Sequence, residues 1–205
     1  MSRKEEIIYA TLELASEYGL KAVSMGQIAD KVGIKKPSLY NHFASKEEII
    51  SEMYSVLRVQ AQRRNTVSID YTSLIEGRRL EDILTECLSG YIEFLSDKDM
   101  LTFFKVLYSE RSTSLTAAQI MVEETERMIS NTKSLFYALV VHGKMKNDNV
   151  DTAAMSYALT IHSLVDRQMD IKTANKETIS ITDISEDMKE YIRWFSKQME
   201  VDKHE

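Results

Sequence analysis

The sequence predicts an all-α protein of about nine helices, in which an N-terminal helix-turn-helix domain of three helices precedes a larger helical domain. Three observations predict this fold class. The 205 residues include one proline and six glycines, so few residues interrupt a helix. Apolar residues recur at helical spacing through most of the chain, and glycines and capping residues mark where successive helices begin and end. The predicted helices cover residues 3–18, 25–32, 36–42, 46–64, 80–96, 99–110, 115–142, 150–172 and 184–201.

Local signals fix the first three helices. Gly19 is a suitable stop for the first helix, and Gly33 is a suitable stop for the second. Ser24 and Gln27 match a capping box, in which the serine side chain accepts from the backbone of the third helical residue and the glutamine side chain reaches back. The second helix is therefore expected to begin directly after Ser24.

In the rest of the chain, capping residues and breaks in the helical period mark the expected helix boundaries. Ser45 and Glu48 repeat the capping-box pattern before the long fourth helix. Residues 65–77 lose the helical period and are interpreted as a connection, and the polar, β-branched stretch 171–182 is interpreted as a loop. Asp183 is expected to cap the last helix.

The charge is distributed unevenly along the chain. The net charge is −6, yet residues 1–64 hold ten Lys and Arg against eight Asp and Glu, so they carry +2 and the remainder carries −8. Between Lys21 and Lys46 there are five lysines and one acid, Asp30. A basic patch within an acidic protein is typical of a surface that binds nucleic acid and suggests two separate tasks along the chain.

The two short helices joined by a glycine-containing turn lie within this patch and indicate a helix-turn-helix. The second of them would be the reading helix, with its N-terminal residues in the major groove of DNA. The residues predicted to contact bases and phosphates are Lys35, Lys36, Ser38 and Asn41, and those predicted to contact phosphates are Tyr40, His42 and Lys46.

The stretch AVSMGQIADKVGIKKPSLYNHFASKEEII, residues 22–50, resembles the DNA-binding signature of the TetR/AcrR family of bacterial repressors, and the resemblance extends back through IIYATLELASEYG, residues 7–19. It implies a DNA-binding domain at residues 1–46 and a regulatory domain at residues 47–205. It also implies a homodimer that binds a palindromic operator in double-stranded DNA, usually represses transcription, and is released by a small molecule bound in the C-terminal domain.

The resemblance also assigns individual residues. It implies a phosphate contact for Ser24 and a base or phosphate contact for Gln27, which could instead serve only its capping box. It implies major-groove contacts for Lys36, Ser38 and Asn41, and backbone contacts for Tyr40, His42 and Lys46.

The sequence departs from the family pattern at Lys35, where a serine or threonine usually caps the reading helix. Lysine cannot accept the cap hydrogen bond. The only proline, Pro37, follows in the first turn, where its missing N–H deletes no helical hydrogen bond.

The C-terminal region is rich in residues that suit an apolar or aromatic ligand. The chain has eleven methionines and ten tyrosines. Methionine adapts to irregular shapes and tyrosine offers a polar tip, although most of these residues must be plain core. The candidate ligand-binding residues are Leu57, Tyr91, Phe104, Tyr108, Met121, Met128, Phe136 and His162.

The last two predicted helices are apolar over a broad face, which indicates a second subunit as the partner. The resemblance implies a four-helix dimer interface built from them, and packing of the same face within one chain is the alternative. The candidate interface residues are Leu159, His162, Tyr191, Trp194 and Phe195.

Several classes of protein are not supported. The single cysteine, Cys87, excludes an intramolecular disulfide, and four scattered histidines give no metal-ligand spacing, so no metal or cofactor is expected. No stretch suits a signal peptide or membrane span, and a cytoplasmic location is expected. No pairing of nucleophile and base suggests an enzyme. A DNA-binding regulator whose C-terminal domain binds a protein partner remains the alternative to a ligand-released repressor.

Overall fold

The computed structural model describes residues 1–64, 71–177 and 183–201, which form ten α-helices. The helices are α1 (Arg3–Tyr18), α2 (Met25–Val32), α3 (Lys36–Tyr40), α4 (Lys46–Arg64), α5 (Tyr71–Ile75), α6 (Leu80–Ser96), α7 (Lys98–Glu110), α8 (Leu115–Val141), α9 (Val150–Ala174) and α10 (Glu186–Met199). Apart from one isolated bridge between Met145 and Glu200, these described ranges contain no β-pairing. The predicted all-α fold is confirmed, with one helix more than predicted.

The additional helix, α5, lies inside the predicted connection 65–77, of which residues 65–70 fall outside the described ranges. Five residues make little more than one turn, so they are too few to show a helical period in the sequence. The loop predicted from residue 171 begins later because α9 continues to Ala174, and residues 178–182 lie outside the description.

The cap of α10 is also different from the prediction. Ser185 is the N-cap, and its hydroxyl accepts a hydrogen bond from the Met188 N–H. Asp183, the predicted cap, instead offers its backbone carbonyl to the side-chain amide of Gln168. The prediction of Asp183 is wrong because the serine two residues later has the side-chain oxygen that the first turn uses.

The chain divides into two compact units, each built from separate stretches of sequence. The first comprises Met1–Arg64 and Asp97–Glu124, and the second comprises Asn65–Ser96 and Thr125–Glu205. The domain boundary predicted between residues 46 and 47 lies one residue into α4. The compact first unit extends past this point, because it includes all of α4 and also α7.

In the first unit, α1 packs against α2, α4 and α7, and α4 also packs against α7. Full burial of one large apolar side chain contributes about 1.5–3 kcal/mol to folding. The apolar core of this unit includes Ile7, Ile8, Leu12, Ile28, Leu39, Phe43, Ile49, Met53, Leu57, Phe103 and Leu107.

A buried polar cluster ties α4 to α8 inside the same unit. The buried carboxylate of Glu124 accepts a hydrogen bond of 2.7 Å from the Tyr54 hydroxyl and forms an ion pair with the Arg58 guanidinium. A buried ion pair gives little net stability but has a strict geometry, so it favours one register of α8 against α4.

In the second unit, α10 packs against α6 and α9 around an aromatic core. The Phe195 side chain is only 5% exposed, and its ring centroid lies 4.9 Å from that of Tyr157 and 5.5 Å from that of Phe136. The prediction that Phe195 belongs to a dimer interface is therefore corrected, because its ring is buried within its own chain. Its neighbour Trp194 remains 58% exposed.

The single cysteine lies near this core. Burial raises the pKa of the Cys87 thiol to about 11, and burial also raises the pKa of the Tyr157 hydroxyl. Since the thiolate is the reactive form of cysteine, Cys87 is protonated and unreactive at neutral pH.

We predict that Phe195→Ala lowers the free energy of unfolding by about 3–5 kcal/mol, because it opens a cavity among aromatic rings. The exposed substitution Val141→Ala serves as the control and should change it by less than about 0.5 kcal/mol. Urea unfolding followed by circular dichroism measures both values. A midpoint for Phe195→Ala equal to that of the wild type would contradict the core assignment.

Candidate nucleic-acid interface

The turn between α2 and α3 has the geometry of a helix stop that redirects the chain. Gly33 has a left-handed backbone with φ of +72°, which side chains other than glycine rarely adopt. Its N–H donates to the Asp30 carbonyl at 3.1 Å, and the Ile34 N–H donates to the Ala29 carbonyl at 3.0 Å. This is the Schellman pattern, and it ends α2 and leads the chain into α3.

The predicted capping box at the start of α2 is confirmed. The Gln27 N–H donates to the Ser24 hydroxyl oxygen at 3.3 Å, while the Ser24 N–H donates to the Gln27 side-chain oxygen at 2.8 Å. Both side chains are exposed. The box uses the amide oxygen of Gln27 and does not require its amino group, so capping is compatible with a contact to DNA.

The start of α3 shows how a helix can begin at a lysine. Lys35 is the N-cap and makes no side-chain cap hydrogen bond, as the sequence predicted. Pro37 is the second helical residue and has no N–H, and the N–H of Ser38, the third, donates to the Lys35 backbone carbonyl at 2.8 Å. A capping side chain normally accepts from the N–H of the second or third helical residue, and here the first is absent and the second is already bonded. A lysine at the N-cap therefore destabilises α3 only slightly.

One face of α3 is buried and the other is available to a partner. Leu39 is fully buried, whereas Lys35, Lys36, Ser38 and Asn41 are exposed. The helix therefore presents two ammonium groups, a hydroxyl and an amide on its outer surface. These groups can bind phosphate oxygens and the edges of bases.

The residues at the end of α3 differ in exposure. Tyr40 is 46% exposed, His42 is half-buried and Phe43 is buried. The Lys4 ammonium lies 5.1 Å from the centroid of the Phe43 ring, so α1 contributes a cation close to this end of the helix. Sequence analysis missed Lys4 because 39 residues separate it from Phe43 and no local pattern connects them.

The lysines of the basic patch are not equivalent. The Lys31 ammonium donates to the Glu13 carboxylate at 2.6 Å, and this hydrogen bond raises the pKa of Lys31. The Lys46 ammonium donates to the backbone carbonyls of Leu20 at 2.7 Å and Val23 at 2.9 Å. Two of its three N–H groups therefore bind the protein itself.

The candidate ligand-binding residues do not gather in one unit. Four belong to the first unit and four to the second. In the first unit Leu57, Phe104 and Met121 are buried and Tyr108 is half-buried, and in the second unit Phe136 is buried and Tyr91, Met128 and His162 are half-buried. A groove of about 470 Å³ in the second unit is lined by none of them, its residues being Ser89, Ile92, Glu93, Ser96, Asp183, Ile184 and Lys189.

The other four candidate interface residues lie on α9 and α10. Leu159 is 41% exposed, and Trp194 is exposed and stacks on Tyr191 with ring centroids 5.9 Å apart. His162 and Tyr191 are half-buried. Met155, one turn before Leu159, is exposed as well and extends the apolar surface of α9, although sequence analysis did not single it out.

Comparison with known proteins identifies the class. A model described as bacterial regulatory proteins, tetR family, matches residues 7–53, and a model described as the C-terminal domain of an AefR-like transcriptional repressor matches residues 82–196. These matches define a DNA-binding transcriptional regulator and not an enzyme. The chain belongs to the tetR family of bacterial regulatory proteins.

Individual relatives agree with this assignment. The HTH-type transcriptional repressor KstR2 of Mycobacterium tuberculosis is 44% identical over 52 residues, about a quarter of each protein. The uncharacterized HTH-type transcriptional regulator YhgD of Bacillus subtilis is 22% identical over 182 residues, 88% of this chain and 92% of YhgD. The solved structure of the flavonoid-responsive regulator FrrA shares the fold, with a TM-score of 0.70 and 20% identity over 97% of each chain.

The described residues offer neither a cluster of metal ligands nor a membrane-spanning helix. Residues 1–64, 71–177 and 183–201 contain no group of three His, Cys, Asp or Glu side chains placed to hold a metal ion. In the same part of the chain, no helix combines the length and hydropathy that crossing a bilayer requires.

We predict that Pro37→Gly weakens DNA binding about 2- to 5-fold, because glycine raises the conformational entropy that the first turn of α3 loses on ordering. Pro37→Ala, which retains helix propensity, should weaken binding less. Fluorescence anisotropy with labelled DNA measures the affinity, and light scattering should show an unchanged molecular mass. Equal affinities for Pro37→Gly and wild type would show that the proline has no role in binding.

Proposed function

We propose that the protein is a repressor that binds a palindromic operator in double-stranded DNA as a homodimer, and that a small apolar or aromatic molecule releases it. The observation that carries the proposal is the exposed polar face of α3, presented directly after the Gly33 turn. Membership in the tetR family and the match to an AefR-like repressor domain support it. Because it must reach DNA, the protein is proposed to act in the cytoplasm.

In this proposal α3 occupies the major groove. The side chains of Lys36, Ser38 and Asn41 contact base edges, since lysine suits guanine acceptors and asparagine can pair with adenine. Helix α2 lies across the backbone, where Ser24 and Gln27 reach phosphate and, for Gln27, a base edge. The proposed phosphate contacts beyond these are those of Lys35, Tyr40 and His42, whereas the Lys46 ammonium is directed at the backbone carbonyls of Leu20 and Val23.

The exposed apolar surface of α9 and α10 supports the homodimer. Met155, Leu159 and Trp194 are each more than 40% exposed, and large clustered apolar side chains on a surface commonly mark an interface. A two-fold dimer brings the same surface of two copies together, so one apolar face is its own complement. Tyr191 stacks on Trp194 and extends the proposed contact, together with His162 on α9.

The chain's own aromatic and Met residues, and not its relatives, indicate the chemistry of the proposed effector. Solved structures with this fold include the flavonoid-responsive regulator FrrA and, at 15% identity and a TM-score of 0.63, a regulator in complex with choline. Such different ligands show that the fold does not determine the chemistry of the effector. The buried or half-buried aromatic and Met side chains support an apolar or aromatic molecule here, and each of the eight candidate residues stays a proposed contact within its own unit.

Selection from a random DNA library tests the proposal. We expect an enriched palindrome whose half-sites lie about 34 Å apart, one turn of B-DNA, or a multiple of it. Affinity for the selected site should fall steeply with salt, with a slope in log–log form of about −0.9 for each phosphate contact. Lys35→Met should reduce this slope, whereas Lys105→Met on α7 should not. Failure to enrich any palindrome would contradict the proposal.

A charge placed in the α9–α10 surface tests the dimer. We expect Leu159→Glu combined with Trp194→Glu to halve the molecular mass in solution, because four buried carboxylates per dimer are strongly unfavourable. The matched control is Val141→Glu, which adds a charge at an exposed position of α8 in the same unit. Light scattering measures the mass, and a dimer that persists in the double variant would exclude this surface as the interface.

A further inference from the structure

The turn of residues 19–24 determines where the DNA-binding helices begin. The turn begins at Gly19, the C-cap of α1, and ends at Ser24, the N-cap of α2. Between them, the side chains of Leu20 and Val23 are buried in the first unit. Two backbone hydrogen bonds within the turn, from Ala22 to Gly19 and from Val23 to Leu20, are 3.1 Å and 3.3 Å long. Two further contacts come from side chains elsewhere in the unit.

The first external contact comes from α4. The Lys46 ammonium binds the carbonyls of Leu20 and Val23 together, at 2.7 Å and 2.9 Å. The side chain is partly buried, so these charge-assisted hydrogen bonds are shielded from water more than a surface contact would be. They join the start of α4 to both ends of the Leu20–Val23 segment.

The second external contact comes from α7. The Glu110 carboxylate accepts a hydrogen bond of 3.3 Å from the backbone N–H of Lys21. The same carboxylate oxygen lies 3.8 Å from the position that a Cβ would occupy on Gly19, so it sits against the beginning of the turn. Glu110 is 89 residues from Lys21 in sequence and lies outside the matched N-terminal family model, which ends at residue 53.

We propose that Lys46 and Glu110 clamp the 19–24 turn and are positioning residues for DNA binding, with Lys46 acting on the carbonyls and Glu110 on the N–H of Lys21. The inference rests on the proposed reading of DNA by α2 and α3. It makes α7 part of the DNA-binding apparatus. The position of Ser24, and with it the start of α2, then depends on where the C-terminal end of α7 lies.

Loss of the Glu110 side chain should change the DNA affinity in the direction opposite to the one that simple electrostatics predicts. Removing an acid near a DNA-binding surface favours DNA binding, because the acid repels phosphate. Removing a positioning acceptor weakens binding, because α2 and α3 then adopt the binding geometry less often. Glu110→Met removes both the charge and the acceptor, whereas Glu110→Gln removes the charge and keeps an acceptor oxygen.

We expect Glu110→Met to weaken DNA binding roughly 3- to 10-fold, the range expected for the loss of one hydrogen bond of ordinary net strength, and Glu110→Gln to bind at least as tightly as wild type. Glu17→Met, which removes an exposed acid from the end of α1, is the charge control and should not weaken binding. Hydrogen exchange should become faster at residues 19–24 in Glu110→Met only. Binding by Glu110→Met equal to or tighter than wild type would overturn the clamp.

The salt dependence of binding tests Lys46 separately from a phosphate contact. Lys46→Met should lower the affinity without changing the slope of log K against log salt, whereas Lys35→Met should make the slope shallower by about 0.9 per protomer. An equal change of slope in both variants would overturn the clamp. If wild-type protein shows no salt-dependent DNA binding, the proposed function fails, and exchange at residues 19–24 in Glu110→Met still tests the contact itself.

Discussion

The hydrogen bonds that hold the 19–24 turn are the constraint on which the proposed DNA-binding surface depends. A helix-turn-helix presents its side chains correctly only if its first helix starts at a fixed place, and α2 starts at Ser24. That residue is held by its own capping box, by the burial of Leu20 and Val23, and by contacts from Lys46 and Glu110. Everything after it, including the Gly33 turn and the exposed face of α3, follows from short-range geometry.

The same constraint explains why the first unit combines distant parts of the chain. Helices α1, α2 and α3 alone bury little apolar surface, so α4, α7 and the beginning of α8 complete the core of the unit. The buried cluster of Tyr54, Arg58 and Glu124 then fixes the register of α8 against α4. Helix α3 is thus supported by residues as far along the chain as Glu124, well beyond the N-terminal signature.

Sequence analysis predicted well the features that depend on neighbouring residues. The starts of α1 and α2, the Gly33 stop and the uncapped start of α3 at Lys35 all follow from side chains within four positions of the backbone groups that they affect. The short helix α5 was missed because one turn has no period. The Lys21–Glu110 contact was missed because its partners are 89 residues apart.

Among the candidate site residues, too, the local sequence pattern predicted some positions, whereas tertiary packing determined others. The outward residues of α3 could be named from sequence because a helical period with Leu39 inside leaves its other face outside. Phe195 and Trp194 could not be distinguished, since adjacent aromatic residues carry no signal of which one the core buries. The direction of the Lys46 side chain was equally hidden, because a lysine after a basic patch suggests phosphate, whereas the carbonyls it binds are brought near by tertiary packing.

A structure of the protein bound to its selected operator tests the central claim most directly. We expect Lys36, Ser38 and Asn41 to lie within hydrogen-bond distance of base edges in the major groove. We also expect the Lys46 ammonium to stay on the carbonyls of Leu20 and Val23 and Glu110 to stay on the Lys21 N–H. A complex in which Lys46 has left these carbonyls for a phosphate, and the turn keeps its conformation without it, would contradict the account.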